Sequence, residues 1–395
     1  MVIRLNKSND SRLNCAFLML FAVPLQNVLN AVSAFLHINI DENGLILTFM
    51  IWLYGIIITI LNPIKKKNFL WLGLIYLTYI LLYLFSYPLA KHYFLSFGMW
   101  IIYIYYIPLS VFLIARIDAW DNLFTEKKYL LLSDGIILIS LFTKIFLNDQ
   151  TEYMDYSYAL LPIWGIVVVA AIYFNNNFQK IMLPIIFIQA LVYGCRGALV
   201  SIVLVIIIIY LKLNCFGNCN RKTFLLKIFK ACIVIGVVIL GSKIAIDYFL
   251  QLDLAETSYI LRRINMGLIS ESDARDVITQ MCLDEIKRMG LNINGLFFDR
   301  LFLPSGMYSH NFILEILLSL GWIIGGLFIV WIIWNIIIQY IRQCEKNKVI
   351  LICFTGTLFI RYFISGSIFS EGKFILFMAI VFSFKNVKSG LVVKP

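Results

Sequence analysis

"YGCRGALVSIVLVIIIIYLKL", residues 193–213, contains an apolar run from Gly197 to Leu213 that starts directly after an arginine. A second run of this kind extends from Ile323 to Ile338. Crossing a hydrocarbon core of about 30 Å takes roughly 20 helical residues, and lipid offers no partners to backbone N–H and C=O groups. Both runs therefore predict transmembrane α-helices rather than open strands.

The composition of the whole chain agrees with this prediction. Of its 395 residues, 61% are hydrophobic and only 14% are charged, whereas soluble domains have about 45–50% apolar and about 25% charged residues. The sequence thus predicts an all-α, polytopic membrane protein. The formal net charge of +11 is attributed to membrane orientation, because cytoplasmic loops retain lysine and arginine, and no nucleic-acid partner is expected.

Hydropathy divides the chain into a predicted bundle of about twelve spans. These spans lie near residues 13–36, 44–61, 69–90, 94–115, 129–147, 157–174, 181–194, 197–213, 228–250, 312–341, 349–365 and 373–384. The segment between the ninth and tenth spans is far longer than the usual connection of a few residues. The expected organisation is nine helices within residues 1–250, a large loop at 251–309 and three helices within 310–395.

Lysine and arginine residues predict how this bundle is oriented. With a cytoplasmic N-terminus, the basic clusters at 4–12, 65–67, 116–128 and 342–348 fall on one side, together with the C-terminal lysines. The early loops on the other side carry mainly acidic residues. The positive-inside rule then places both termini in the cytoplasm and the large loop on the extracytoplasmic side.

Within the large loop, "SESDARDVITQMCLDEIKRMG", residues 270–290, predicts an amphipathic helix. Ser272 or Asp273 is a suitable N-cap, and Gly290 is a suitable stop. Such a helix would lie on the outer membrane surface or cover a cavity between the spans. For most cations of the loop a solvated surface is an equally good interpretation, because acids, Asp299 among them, outnumber the bases there. The apolar residues at helical spacing are Val277, Ile278, Met281, Cys282 and Ile286.

Arg196 separates two apolar runs that leave almost no loop between them. An unpaired charge is costly at membrane depth, so an arginine there usually pairs with another group or lines a polar cavity. The alternative is a side chain that extends to lipid phosphates at the membrane surface. Arg361 and Lys373, near the outer ends of the last two predicted spans, would extend the same positive region.

Three segments together resemble a known family. "CRGALVS" (195–201) opens a helix, "DARDVITQMCLDEIKRMGLNINGLFFDR" (273–300) lies in the loop, and "SHNFILEILLSLGWIIGG" (309–326) leads back into the membrane. Their order and spacing, over residues 190–330, resemble the O-antigen ligase and polymerase superfamily of bacterial cell envelopes. The sequence departs from that pattern twice: Cys195 replaces a serine, and "LNINGLFFDR" replaces a P-x-x-G-x-G segment.

The resemblance implies a GT-C-like fold and a metal-independent, inverting glycosyltransferase of the bacterial inner membrane. Its substrate would be a glycan on undecaprenyl pyrophosphate at the periplasmic face. The leading expectation is a polymerase of O-antigen or capsule repeat units; the alternative is a ligase that transfers glycan to lipid A core or to another acceptor. Membrane lipids, a chain-length regulator and a flippase would be partners, and no cofactor is expected. A transporter or flippase is a third hypothesis, although the polar residues cluster at one outer loop rather than near midplane.

The resemblance also implies roles for individual residues. Arg196 and Arg275 would bind the pyrophosphate through paired hydrogen bonds. His310 would accept the proton of the attacking sugar hydroxyl, or would hydrogen-bond to that hydroxyl or to the pyrophosphate. The alternative is a helix-capping residue. The residues expected to contact substrate are Asn311, Glu315, Arg361, Arg262 and Arg263.

We expect more specific roles for two of these residues. Asn311 would cap the helix or orient a neighbour, and Glu315 would fix the imidazole or bind substrate hydroxyls.

No metal site is expected, although "ESD" at 271–273 superficially resembles one. Cys195 and Cys282 are expected as free thiols rather than as a disulfide.

Overall fold

The computed structural model describes residues 2–37, 43–62, 64–147, 151–215 and 274–384. All regular secondary structure in these ranges is helical, which confirms the predicted all-α class. The predicted ninth span, residues 228–250, lies outside the described residues. The α-helices are α1 (Val2–Phe35), α2 (Asn43–Leu61), α3 (Lys66–Ser86), α4 (Lys91–Phe94), α5 (Phe97–Ile101), α6 (Ile107–Phe112), α7 (Asn122–Thr125), α8 (Lys127–Phe146), α9 (Tyr153–Ile172), α10 (Asn177–Val192), α11 (Arg196–Cys215), α12 (Ala274–Met289), α13 (Asp299–Phe302), α14 (Phe312–Arg342), α15 (Glu345–Phe354) and α16 (Gly372–Ser383).

In the described part of the chain, seven helical segments are long and apolar enough to cross a membrane. They are Asp10–Phe35, Lys66–Ser86, Phe97–Arg116, Lys127–Phe146, Tyr153–Ile172, Arg196–Leu213 and Phe312–Arg342. Shorter apolar helices at Leu45–Leu61, Asn177–Val192 and Gly372–Ser383 also coincide with predicted spans. These helices are compatible with a multi-pass membrane protein, while the count of twelve stays a prediction.

The predicted span 349–365 coincides with α15 and its continuation. After Phe354 the helix widens into a π-helical turn, Thr355–Phe359, and then tightens into a 3₁₀ turn, Ile360–Phe363. The change of winding alters which side chains face inward over the last two turns. Arg361 lies within this 3₁₀ turn.

Helix α9 forms the centre of the bundle. Of its apolar stretch, 89% is buried, against 6% for α3. Apolar residues occur on all sides of α9, as in a helix enclosed by other helices. At Gly165 a Cβ atom would lie 2.9 Å from Cys353 Sγ, so the missing side chain lets α15 approach closely.

Basic residues that were predicted to face the cytoplasm meet at one end of the bundle, which we call the Arg12 end. Arg12 donates hydrogen bonds to Asn62 Oδ1 (3.1 Å) and to the Arg116 carbonyl (3.3 Å). These contacts join α1 to the end of α2 and to the segment after α6. Lys346 pairs with Asp121 across 2.7 Å near the start of α15. The orientation of this end relative to a membrane stays a prediction.

Helix α14 is broken at Gly321. A straight helix of its 31 residues would be about 46 Å long, well beyond a hydrocarbon core of about 30 Å. Gly321 has φ +73° and ψ 176°, a conformation that is essentially restricted to glycine. The chain turns sharply there, so that a Cβ on Gly325 would lie 3.0 Å from the Ile316 carbonyl oxygen. Residues 312–320 form a short helix, and the rest of α14 is long enough to span the membrane.

The predicted amphipathic helix is present as α12, and it packs on this short helix. A small apolar cluster joins Ile278, Cys282, Ile286 and Met289 of α12 to Leu303, Leu314 and Leu318. Gly290 follows the helix with φ +64°, as expected for its stop. Val277, which belongs to the same predicted apolar series, is 59% exposed and lies outside this buried face. The predicted caps Ser272 and Asp273 lie outside the described residues.

The segment 292–295 closes the end of the short helix. The Gly295 N–H donates to the Ser319 carbonyl (3.0 Å), and Asn294 Nδ2 donates to the Leu318 carbonyl (3.1 Å). These bonds satisfy carbonyl groups that have no partner at a helix end. The loop segment that departs from the family pattern is thus a cap for residues 312–320.

Candidate functional site

A cavity of about 350 Å³ opens at the end of the bundle opposite the Arg12 end. Arg196 and Arg275 both line it, although 79 residues separate them in sequence. The remaining lining residues are Tyr153, Met154, Tyr158, Cys195, Gly197, Val200 and Ile364. The cavity thus combines two guanidinium groups with apolar and aromatic walls, a combination that suits an anionic group attached to an apolar body.

Arg196 is placed by close contact between α9 and α11. It is the first residue of α11 and is half-buried. A Cβ on the next residue, Gly197, would collide with the Tyr158 hydroxyl, so glycine is required for this approach. Ser157 Oγ lies 3.2 Å from both the Cys195 sulfur and the Cys195 backbone nitrogen, which holds the start of α11 against α9.

Arg275 reaches the same cavity from the first turn of α12. The guanidinium is half-buried and donates a hydrogen bond of 3.4 Å to the Ile364 carbonyl. Ile364 itself lines the cavity, so this bond connects the loop helix to the segment between α15 and α16. Arginine is suited to this position because its remaining N–H groups can bind phosphate oxygens in pairs.

Arg361 lies behind Tyr158, close to the cavity but not in its lining. Its guanidinium forms an ion pair with Glu371 and packs 4.8 Å from the centre of the Tyr158 ring. Lys373 Nζ donates to the Tyr158 carbonyl at 2.9 Å. Tyr158 therefore connects the cavity to both side chains. Because Glu371 compensates the charge of Arg361, the predicted extension of the positive region by Arg361 and Lys373 stays a prediction.

His310 occupies a turn just before α14. Its φ of 54° lies in the left-handed region, and its ring packs on Tyr308 with 4.0 Å between ring centres. Burial lowers the imidazole pKa below its ordinary value, and the positive charge of Arg275 lowers it further. Arg275 lines the cavity, whereas His310 is not among the residues that line it. Tyr308 links this turn to the residues that follow Ile364, because its hydroxyl lies 3.5 Å from Ser365 Oγ.

Asn311, rather than His310, caps α14. Its side-chain oxygen accepts hydrogen bonds from the backbone N–H groups of Ile313 (2.9 Å) and Leu314 (3.5 Å). An Asn at this position satisfies N–H groups that have no helical partner. The alternative interpretation of His310 as a capping residue is therefore wrong. The side-chain oxygen of Asn311 is already hydrogen-bonded to the helix that it caps.

The Glu315 carboxylate has different partners from those suggested by the sequence. It is 1% exposed, accepts a short hydrogen bond from Ser367 Oγ and accepts another of 2.9 Å from the Ile368 N–H. Glu315 thus ties α14 to the segment 364–371 instead of contacting the imidazole. Burial of a carboxylate is tolerated here because both oxygens are hydrogen-bonded.

The remaining predictions concern two arginines, two cysteines and metal binding. Arg262 and Arg263 lie outside the described residues. Cys195 and Cys282 are free and buried, as expected. Burial raises the pKa of the Cys282 thiol to about 12. Within the described ranges, no group of three or more His, Cys, Asp or Glu side chains is arranged to hold a metal ion.

Sequence reasoning missed two residues that shape the site. Tyr158 was assigned only to a hydrophobic span, although a tyrosine near the outer end of a helix is a common polar contact at the membrane interface. Asp299 was interpreted as one of many solvated acids, but it is 0% exposed. Burial raises the pKa of the Asp299 carboxyl, and hydrogen bonds from Ser309 and Arg300 oppose that rise. No local sequence signal distinguishes it from its exposed neighbours.

Comparison of the chain with models of known protein families, with curated proteins and with solved structures finds no match in any of the three.

Proposed function

We propose that the chain is a membrane-embedded glycosyltransferase that takes a glycan from a polyprenyl pyrophosphate at the extracytoplasmic side of a bacterial inner membrane. The observation that carries this proposal is the shared cavity of Arg196 and Arg275. A pyrophosphate leaving group gains negative charge as the sugar is transferred. Guanidinium groups fixed in position stabilise such charge through hydrogen bonds to the phosphate oxygens.

The apolar part of the cavity suits the lipid portion of the same substrate. Val200 lines the cavity and is 47% exposed on the outside of α11. An isoprenoid chain can therefore leave the cavity sideways along the bilayer while its pyrophosphate contacts the arginines. The polymerase expected from the resemblance uses this kind of lipid-linked substrate.

His310 is proposed to accept the proton from the hydroxyl that attacks the sugar. An imidazole must be neutral to act as a base, and its lowered pKa keeps it neutral at pH 7. General-base help is typically worth about 10²–10⁴-fold in rate. The loss of activity in His310→Ala should fall in that range.

A binding measurement tests the role of the two arginines. Purified wild-type protein in detergent should bind undecaprenyl pyrophosphate, and Arg275→Ala should weaken binding by roughly 10- to 150-fold, the equivalent of a hydrogen bond to a charged group worth about 1.5–3 kcal/mol. Arg196→Ala should weaken it comparably. Arg288→Ala is the matched control, because Arg288 lies on the same helix α12 but is 75% exposed and pairs with Glu285.

Glycan analysis tests the reaction itself. A strain that lacks the gene should regain its glycan ladder with wild type or Arg288→Ala, and not with Arg196→Ala, Arg275→Ala or His310→Ala. Acceptors that carry a single repeat unit would indicate lost polymerisation, whereas free lipid-linked polymer would indicate lost ligation. Unchanged ladders in all three site variants would refute the proposed function.

A further inference from the structure

Asp299 is a fully buried carboxylate that precedes His310, the candidate base, by 11 residues in the sequence. Its Oδ2 accepts a hydrogen bond of 2.9 Å from the Ser309 N–H, and its Oδ1 accepts one of 3.0 Å from the Arg300 N–H. The Ser309 bond spans ten residues and ends on the residue directly before His310. A buried carboxylate that binds backbone N–H groups restrains the backbone to which they belong.

The His310 side chain depends on that backbone for its orientation. Its φ of 54° is unusual for a residue other than glycine. Its Nδ1 is buried and has no hydrogen-bond partner among the described residues. The imidazole is thus oriented by packing on Tyr308 and by the path of the main chain. Ser309 contributes a second restraint, because its hydroxyl donates to the Asn311 carbonyl at 3.2 Å.

Helix α13 also contacts the opposite wall of the site. The Arg300 guanidinium donates to Ser370 Oγ at 2.8 Å, and Ser370 belongs to the segment that Glu315 binds through Ser367. Asp299 and Arg300 are neighbours, so one short helix contacts both the turn of His310 and the segment 364–371. These two stretches meet at Tyr308 and Ser365.

We propose that Asp299 is a positioning residue, which fixes the main chain at Ser309 so that the His310 imidazole stays packed on Tyr308. The inference rests on the proposed function only in taking His310 as the base. The geometric part of the inference stands on the contacts of Asp299 alone.

Nuclear magnetic resonance of histidine rings tests the geometric part without any substrate. The chain has only three histidines, His37, His92 and His310, so ¹³C-labelled rings give few signals and His310→Gln assigns the third. The charged groups on elements around the His310 turn are Arg275, Asp299, Arg300 and Glu315, and Tyr308 is the titratable neighbour.

Asp299→Asn should raise the titration midpoint of the His310 ring. Asparagine keeps one acceptor oxygen and has an NH₂ donor in place of the other, so it cannot accept both backbone bonds and the restraint on Ser309 weakens. The ring should then leave its buried place, so the titration midpoint of His310 should rise toward about 6.5. Loss of a nearby negative charge without movement would lower the midpoint instead. Asp284→Asn, at an exposed acid of α12, should leave the titration unchanged. A midpoint that is unchanged or lower in Asp299→Asn overturns the proposal.

A measurement on the wild type covers the case in which Asp299→Asn does not fold. The Ser309 amide hydrogen should exchange slowly with deuterium, because its N–H is bound to a buried carboxylate. Exchange of this amide at the rate of an unstructured peptide overturns the proposal regardless of any variant.

An activity assay tests whether Asp299 affects catalysis. Asp299→Asn should lower kcat about 10- to 100-fold, because small misplacements of a catalytic group are costly, and should change KM by less than about twofold. If KM rises while kcat is kept, Asp299 does not position the base. A wild-type protein without transferase activity would refute the proposed function and leave the ring titration as an independent test.

Discussion

Replacing Gly321 with alanine should destabilise the protein through two separate effects. The backbone there has φ +73° and ψ 176°, and an L-residue in such a conformation costs about 1–3 kcal/mol. The new Cβ would also lie 2.7 Å from the Asn292 carbonyl oxygen, and overpacking of this kind typically costs about 1–3 kcal/mol. The low parts of both ranges together give about 2–4 kcal/mol of lost stability.

Gly326→Ala is the matched control for this prediction. Gly326 lies in the same helix α14, and nothing is within 4 Å of the Cβ it would gain. Alanine in a helix interior is favoured over glycine by roughly 0.5–1 kcal/mol, so this variant should be slightly more stable than wild type.

Thermal unfolding of both variants in one detergent provides the measurement. With an unfolding entropy of about 2.1 cal/mol/K per residue and 395 residues, Gly321→Ala should unfold about 2–5 °C below wild type, and Gly326→Ala at or slightly above it. Equal midpoints for the two variants would refute the break in α14, since a continuous helix would accept alanine at either position.

Three further predictions concern the site. Asn311→Ala should destabilise the protein by about 1 kcal/mol because α14 loses its cap, whereas Asn311→Ser should keep most of that stability, as measured by chemical unfolding. Gly197→Ala should destabilise by collision with the Tyr158 hydroxyl, and Tyr158→Phe should relieve that loss in the double variant; additive effects in this cycle would contradict the contact. The turnover rate should fall at a more acidic pH than the value of about 6.5 expected for an unperturbed histidine base, because the His310 pKa is lowered in the folded protein. The same shift makes the His310 contribution to stability complete above its unfolded pKa of about 6.5 and lost as the pH falls through the lower folded value.

The helices were predictable because apolar runs in lipid have one simple solution for their backbone groups. Helix α12 and its stop at Gly290 were also predictable, since a local apolar period and a glycine determine them. The break at Gly321 was not, because hydropathy is uniform across residues 312–342. A glycine in such a run gives no sign of whether its φ is positive.

The site was predictable only in part, because its main contacts join distant residues. The sequence motifs selected Arg196 and Arg275, and the structure places both at one cavity; their chemical roles stay predictions. The pairing of Glu315 with Ser367 spans 52 residues, and a carboxylate near a histidine in sequence was a misleading guide to its partner. Burial of Asp299 depends on backbone N–H groups that no composition pattern reveals.

Three helices direct their first turns toward the cavity: α9 through Tyr153 and Met154, α11 through Arg196, and α12 through Arg275. Each first turn carries N–H groups without helical partners and a partial charge of about +0.5 from the aligned peptide dipoles. This part of the positive potential belongs to the main chain, so side-chain substitution cannot remove it. Variants without one arginine should consequently retain a weak, salt-sensitive attraction for anions.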